Sequence, residues 1–412
     1  MTMSAQPPTD TGALAKREAR LAWGMLLPTI TAVSLVVALP LLAIFWISFK
    51  PVSLADLRAP EMVVRESLRL RNDTATLDYR VNNSSRDSII SGAAFTDTVP
   101  DSVSITGELP EFCRLDAQLL SCDFGDLSGG FRERYRIDVE VSGDPAAAKT
   151  AVEDSVPVIV GDADFVLTNL EFSLENFVRV FNASDFWEVL WATSFYTVFG
   201  TIGALVAGLF AAMLLDKSFR GQGLLRGLFL FPYVAPVIAV AFTWVTLLDP
   251  FSGSANALLV QMGVVDQPIN FFGERPQALI MVTVFEIWRY FPLSFLFILA
   301  RMQSIDSDMY EAADMDGASP FQKFWFLSLP QLLGILSVLF LLRFIWTFNK
   351  FDDIFLLTGG NAGTRTLTVS VYEQAFAVSN IGAGAAVAVV IFFCLLIFSW
   401  FFFRFISQEE GL

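Results

Sequence analysis

Six stretches of this chain are apolar for long enough to cross a lipid bilayer, and nothing else in the sequence restricts the fold as much. They run from Leu21 to Phe49 and from about Val189 to Leu215, Leu224 to Leu248, Ala278 to Met302, Gln331 to Thr358 and Ile381 to Ile406. At about 1.5 Å per residue, roughly 20 residues of helix span a hydrocarbon core of about 30 Å. Lipid offers no partner to a backbone N–H or C=O, so runs of this length predict helices. With 54% hydrophobic residues, 41 Phe and a mean hydropathy of +0.56, the chain is too apolar for a water-soluble domain.

The first run exceeds the apolar core of a signal peptide and has no cleavage site, so it is expected to stay as a span. Lys16, Arg17 and Arg20 precede it, Lys217, Arg220 and Arg226 follow the second run, and Arg301 and Lys323 bracket the connection between the fourth and fifth. By the positive-inside rule these loops and both termini are cytoplasmic, and the segment between the first two spans lies outside a bacterial inner membrane. Pro28, Pro40, Pro232, Pro236 and Pro292 interrupt the runs, which spans tolerate where neighbours satisfy the freed carbonyls.

The segment from Pro51 to Trp187 changes character. Leu77-Asp78-Tyr79-Arg80-Val81 and Tyr135-Arg136-Ile137-Asp138-Val139-Glu140-Val141 alternate with the period of strands. Turn residues punctuate them at Asn82-Asn83, Val99-Pro100-Asp101 and Ser128-Gly129-Gly130. The pattern predicts a β-sandwich. The segment holds 12 Lys and Arg against 24 Asp and Glu, most of the whole chain's −15, and this argues against a nucleic-acid partner. Cys113 and Cys122 both lie in it, and in an oxidising compartment they are expected to bridge, two free thiols being the alternative. The chain has no His, which excludes histidine catalysis and His metal sites, and no GxxxxGK[ST] loop for nucleotide.

Between the fourth and fifth runs sits a polar island, Asp308-Met309-Tyr310-Glu311-Ala312-Ala313-Asp314-Met315-Asp316-Gly317-Ala318-Ser319-Pro320, with Leu329-Pro330 nine residues on. Asp308 and Glu311 make an aspartate form of the capping box, so a short helix is expected to start there and to end at Gly317. Ser319 and Pro320 then cap a second helix. Met309, Ala312 and Ala313 share one face, where the alanines let another surface approach closely. Glu311-Ala312-Ala313, Asp316-Gly317-Ala318, Phe324 and Leu329-Pro330 resemble the EAA loop of ABC importer permeases. That resemblance implies a cytoplasmic coupling helix docking in a cleft of an ATPase subunit, with Glu311, Ala312, Ala313, Asp316, Gly317 and Pro330 carrying the coupling.

Two further stretches resemble the carbohydrate-uptake branch of these permeases: Phe231-Pro232-Tyr233-Val234-Ala235-Pro236, and Trp346-Thr347-Phe348-Asn349-Lys350-Phe351-Asp352-Asp353-Ile354 with Leu357-Thr358-Gly359-Gly360. An insert between the first two core spans is similar in position to the outer domain of the maltose importer's larger permease subunit. In that subunit the sugar is lined from three spans, and motif register carries the lining to Tyr233, Val237, Arg289, Tyr290, Leu293, Arg343 and Thr347. Aromatic faces stack on sugar C–H surfaces while hydroxyl and guanidinium groups read hydroxyls. Against this stands a structural role: Glu286 and Arg289 are one turn apart and can neutralise each other, and Arg343 can pair with Asp352 or Asp353 of a neighbouring chain. Tyr79-Arg80-Val81-Asn82-Asn83, Phe95-Thr96-Asp97-Thr98-Val99-Pro100 and Cys122-Asp123-Phe124-Gly125-Asp126-Leu127-Ser128-Gly129-Gly130 resemble an immunoglobulin-like repeat of bacterial surface proteins, a spacer or adhesion unit.

The expectation is a mainly α membrane protein: a six-helix ABC importer permease bundle with an extracytoplasmic β-sandwich between spans 1 and 2. Residues 1–50 form the tail and first helix, 51–187 the insert, and 188–412 a five-helix core with the coupling loop at 306–330. The resemblance implies a non-enzymatic subunit with no cofactor of its own, ATP and Mg belonging to partner ATPases. Its partners are a second permease chain, two ATP-binding subunits, an extracytoplasmic sugar-binding protein, membrane lipid and a carbohydrate. The two arginines leave room for an anionic sugar derivative or a glycerol-phosphate compound. A secondary transporter and a membrane-anchored adhesin are the competing classes; inverted repeats and broken-helix ion sites would mark the former.

Overall fold

The computed structural model describes residues 13–71, 74–86 and 88–405. The chain divides into a β-rich unit, Phe49–Ser173 with Ser379–Gly382, and a helical unit formed by the remainder. The sequence puts the insert's end at Trp187; the structure puts it at Ser173. Residues from Leu174 belong to the helical unit because Val180 and Phe186 bury themselves among Phe344, Phe348 and Val387.

The helical unit begins with α1 (Ala13–Val33) and α2 (Leu39–Ser48), joined by a π-helical turn at Ser34–Ala38. Leu26, Leu35, Val36 and Leu42 are all more than half exposed along this rod, as suits a helix whose solvent is lipid.

In the β-rich unit, strands β1 (Met62–Arg71), β2 (Thr74–Asn83), β3 (Ile90–Thr98), β4 (Val103–Ile105), β5 (Cys113–Asp116), β6 (Leu119–Leu127) and β7 (Arg132–Val141) are followed by helix α3 (Pro145–Glu153) and β8 (Val158–Ala163). They make two antiparallel sheets of four, in the orders β1-β2-β7-β4 and β5-β6-β3-β8. Alternation does what the sequence expects: Leu77, Tyr79 and Val81 of β2 meet Ile90 and Phe95 of β3 and Leu120 of β6 in one apolar cluster fed by both sheets. Cys113 and Cys122 stand opposite each other across β5 and β6, and they form a disulfide. Asn82-Asn83 is not the turn: Asn83 ends β2, and its buried amide donates to the carbonyls of Ser88 (2.8 Å) and Ser128 (3.1 Å), so the chain bends after it. Glu66 points into this core beside Asp97, whose carboxylate accepts from the Tyr79 hydroxyl and from Ser155 Oγ at 2.6 Å.

The helical unit resumes with α4 (Glu175–Phe181), α5 (Phe186–Asp216), α6 (Gln222–Val234), α7 (Val237–Leu247), α8 (Ser254–Gln261), α9 (Gln277–Met302), α10 (Ser307–Met315), α11 (Pro320–Lys323), α12 (Leu329–Phe348), α13 (Asp352–Thr358), α14 (Leu367–Tyr372) and α15 (Ile381–Phe405). Five described helices are long and apolar enough to cross a membrane: Arg17–Ser48, α5, α9, Pro320–Phe348 and α15. Ile406, the expected end of the last span, lies outside the described residues. The expected third span differs, because α6 and α7 meet at 91°. Pro236 has no N–H and drives Ala235 to an extended conformation (ψ 143°), so a break replaces a kink. The expected fifth span likewise stops at Phe348, and α13 begins only at Asp352. Helix α5 lies directly on α9: a side chain at Gly208 would meet Ser294 Cβ at 2.6 Å, so that approach requires glycine.

Candidate functional site: an exposed loop helix and a buried polar cluster

Helix α10 is the polar island. Its N-cap is Asp306, whose carboxylate accepts from the Asp308 amide at 3.0 Å, and not the expected pair of Asp308 and Glu311. Asp306 has the extended backbone a cap needs (ψ 128°), while Asp308 is already helical. The stop is where the sequence puts it. Gly317 has φ +76°, and the bond from Ala318 N to Ala313 O, 2.9 Å, closes the helix end. Ser319 and Gln322 form a complete capping box for α11. The helix is held from behind, with Tyr310 Oη 2.9 Å from Ser328 Oγ and Lys323 Nζ 2.6 Å from Asp314 Oδ1. No residue of α10 is buried. Glu311, Ala312, Asp316, Gly317 and Pro330 are exposed, Ala313 is half-buried, and Met315 is 88% exposed. The helix thus presents small side chains and two exposed methionines, Met309 and Met315.

The second feature lies among the long helices. Glu286 of α9, 1% exposed, is its hub: Oε1 accepts from Arg343 Nη2 (2.8 Å) and Thr347 Oγ1 (3.0 Å) of α12, and Oε2 from the Tyr196 hydroxyl of α5 (2.9 Å). Arg343 therefore pairs with Glu286 inside its own chain. Arg289 turns the other way, donating to the carbonyls of Pro232 (3.1 Å) and Ala235 (3.0 Å) at the α6–α7 break. Pro236 cannot bond the Pro232 carbonyl, and a guanidinium fork replaces the missing N–H.

Tyr290 sits among three cations, with Lys350 Nζ 4.2 Å, Arg343 Cζ 4.9 Å and Arg289 Cζ 5.6 Å from its ring centre. Its hydroxyl bonds Lys350, and Tyr233 meets it edge-on at 6.0 Å. Lys350 also lies 3.6 Å from Asp352 and 3.8 Å from the buried Asp353. Five of the seven residues carried over by motif register, Tyr233, Arg289, Tyr290, Arg343 and Thr347, are thus connected; Val237 and Leu293 are half-buried apolar neighbours in sequence on α7 and α9. Lys350, Tyr196 and the hub role of Glu286 are additions the structure makes. Ionisable groups standing in or beside apolar runs were the available signal for Glu286 and Lys350; nothing in the sequence marks Tyr196.

Long apolar helices, one span broken at proline, an exposed loop helix and a buried charged cluster define a polytopic helical membrane protein. Residues 204–408 match the family model described as the binding-protein-dependent transport system inner membrane component. The chain is 37% identical over 220 residues to the inner membrane ABC transporter permease protein YcjO of Escherichia coli K12, covering 53% of this chain and 74% of that one. It is 32% identical over 239 residues to the trehalose/maltose transport system permease protein MalF of Thermococcus litoralis, covering 58% and 80%. It is also 32% identical over 242 residues to the sn-glycerol-3-phosphate transport system permease protein UgpA of Salmonella choleraesuis, covering 57% and 80%. The chain belongs to this family of binding-protein-dependent inner-membrane transport components. A solved bacterial ABC transporter that imports the acidic polysaccharide alginate shares the fold at TM-score 0.53 and 19% identity, over 58% of this chain and 86% of that one. The family match starts at residue 204, so residues 49–173 of the β-rich unit lie outside it.

Proposed function

We propose that this chain is the permease subunit of an ATP-driven carbohydrate importer, forming half of the translocation pathway. The carrying observation is α10, an exposed, capped helix with Glu311, Ala312 and Ala313 on it and Gly317 at its end, in a chain of the importer-permease family. ATPase closure felt at α10 shifts the helices attached to it, and the site opens first outward, then inward. The subunit works with a second permease, two ATP- and Mg-binding subunits and an extracytoplasmic sugar-binding protein. Both termini and α10 are cytoplasmic, and the β-rich unit is an immunoglobulin-like sandwich outside the membrane.

Tyr233, Tyr290 and Thr347, with Arg289 and Arg343, line the solute path. The buried Nε atoms of Arg289 and Arg343 have no partner among the described residues, which supports a polar ligand. The cations around Tyr290, together with the glycerol-phosphate relative, favour an anionic sugar derivative as the second reading.

The test is uptake by proteoliposomes holding the chain with its cognate permease, ATPase and binding proteins, offered a neutral disaccharide, a uronate oligomer and sn-glycerol 3-phosphate. ATP-dependent uptake of one of these is expected. Tyr233→Ala and Tyr290→Ala should each lower it, by roughly the 1 to 3 kcal/mol that an unpaired polar partner costs, with stimulated ATP hydrolysis retained. Uptake driven by an ion gradient without ATP overturns the reading.

A further inference from the structure

The outward face of the sheet holding β1, β2 and β7 carries an arrangement that its fold does not require. Arg65, Arg80 and Arg134 stand directly opposite one another in a single cross-strand row, and Arg132 faces Asn82 two residues from Arg134 on β7. Like charges placed opposite each other on adjacent strands, about 4.8 Å apart, repel and destabilise the sheet. Asp138 and Glu140 lie further along β7 on the same face, and among the described residues Asp78 is the acid ion-paired with the row. Asp78 is fully covered, with Arg69 Nε at 3.0 Å and Arg134 Nε at 2.5 Å, and the pair of guanidiniums holds its carboxyl below the usual carboxylate range. Arg65, Arg80 and Arg132 are exposed and have no ion-pair partner among the described residues.

These arginines are not spread over a flat surface. Arg65, Arg80, Arg132, Arg134, Asn82, Val63 and Glu133 line a concavity of about 720 Å³. The Glu133 carboxylate is engaged by the Tyr135 hydroxyl. The unit is acidic in sum, so a basic hollow within it is a local feature and not a consequence of composition.

We infer that this hollow is a binding site for a carboxylate-bearing oligosaccharide. Planar guanidinium forks match carboxylates two bonds at a time, and Arg134 on Asp78 already shows that grip on this face. Arginines repeating at strand spacing suit a linear chain with an acid on successive units, and Asn82 offers a donor and an acceptor for sugar hydroxyls. An acidic protein face is the poorer occupant. Protein interfaces depend on buried aromatic and large apolar anchors, and Val63 is the single apolar side chain lining the hollow. The hollow belongs to the β-rich unit, and the inference does not depend on which solute the chain carries.

The experiment is calorimetric titration of the full chain in nanodiscs with a galacturonate pentamer, and with maltopentaose as the neutral control, at low and high salt. The pentamer should bind at low salt and weaken as salt rises, and maltopentaose should not bind. Arg65→Gln/Arg80→Gln/Arg132→Gln leaves Arg69 and Arg134 on Asp78, so it should melt with the parent while losing about tenfold or more in affinity, the loss expected when charge-assisted bonds go. No pentamer binding at low salt, equal affinity in the triple variant, or equal binding of maltopentaose overturns the inference. So does efficient cross-linking of the purified binding protein through Arg80→Cys that the pentamer leaves unchanged. No transport is measured, so the result is independent of whether the importer reading stands.

Discussion

Glu286 and Arg343 show how a single partner decides what a residue is for. Each is almost completely buried, and each would be an uncompensated charge without the other. Removing one partner of a buried ion pair is far costlier than replacing both. Arg343→Met should therefore lose about 3 kcal/mol or more of stability, and Glu286→Gln/Arg343→Met should recover part of it, read as thermal unfolding in detergent. Equal stability of the parent and Arg343→Met would mean that the pair contributes nothing. Glu66 makes the complementary case in the β-rich unit. Burial, with Asp97 beside it, pushes its carboxyl up to about 9. The folded state then holds a proton that the unfolded chain releases near 4.5, so this contribution is present in acid and is lost as pH rises through about 9. Glu66→Gln should flatten the fall in stability of the β-rich unit between those values, measured by thermal melts across pH; an unchanged slope assigns the dependence to other groups.

Elements differ in how far their own residues specify them. The end of α10 is local: Gly317 adopts φ +76° with no neighbour in the way of a side chain, so the constraint is backbone and not space. Gly317→Leu should strain the stop, misplace the exposed helix and abolish uptake while ligand capture by the binding protein continues; normal uptake by that variant counts against coupling through α10. For the start of the same helix the sequence points to Asp308, two residues late, because Asp306 and Asp308 offer equivalent carboxylates and only the backbone at Asp306 is extended. The α6–α7 break is harder still. Pro232 and Pro236 announce an interruption but not its 91° angle, and the carbonyls of Pro232 and Ala235 at the break are taken by Arg289 from another helix.

At the scale of the whole molecule, the basic residues beside the apolar runs predict an orientation. A cysteine placed at Ser218 should resist an impermeant thiol reagent in intact cells, and one at Ser84 should react; the reverse pattern overturns the topology. Apolar run length is enough to place five spans and to suspect the sixth, because the bilayer imposes one minimum length on any helix that crosses it. Strict alternation in Leu77 to Val81 likewise announces a sheet with one buried face. The α10 stop, the cap at Ser319 and the strand faces are all legible in the sequence, since each depends on residues within one turn or one strand. The sequence could not tell which acid meets which arginine. Glu286 passes over Arg289, one turn away, for Arg343, 57 residues on, and three arginines far apart in the chain come into a single row only when β1, β2 and β7 pair. Local spacing is set by the geometry of the helix and the strand, whereas partners between elements are chosen by packing, and packing exists only in the folded chain.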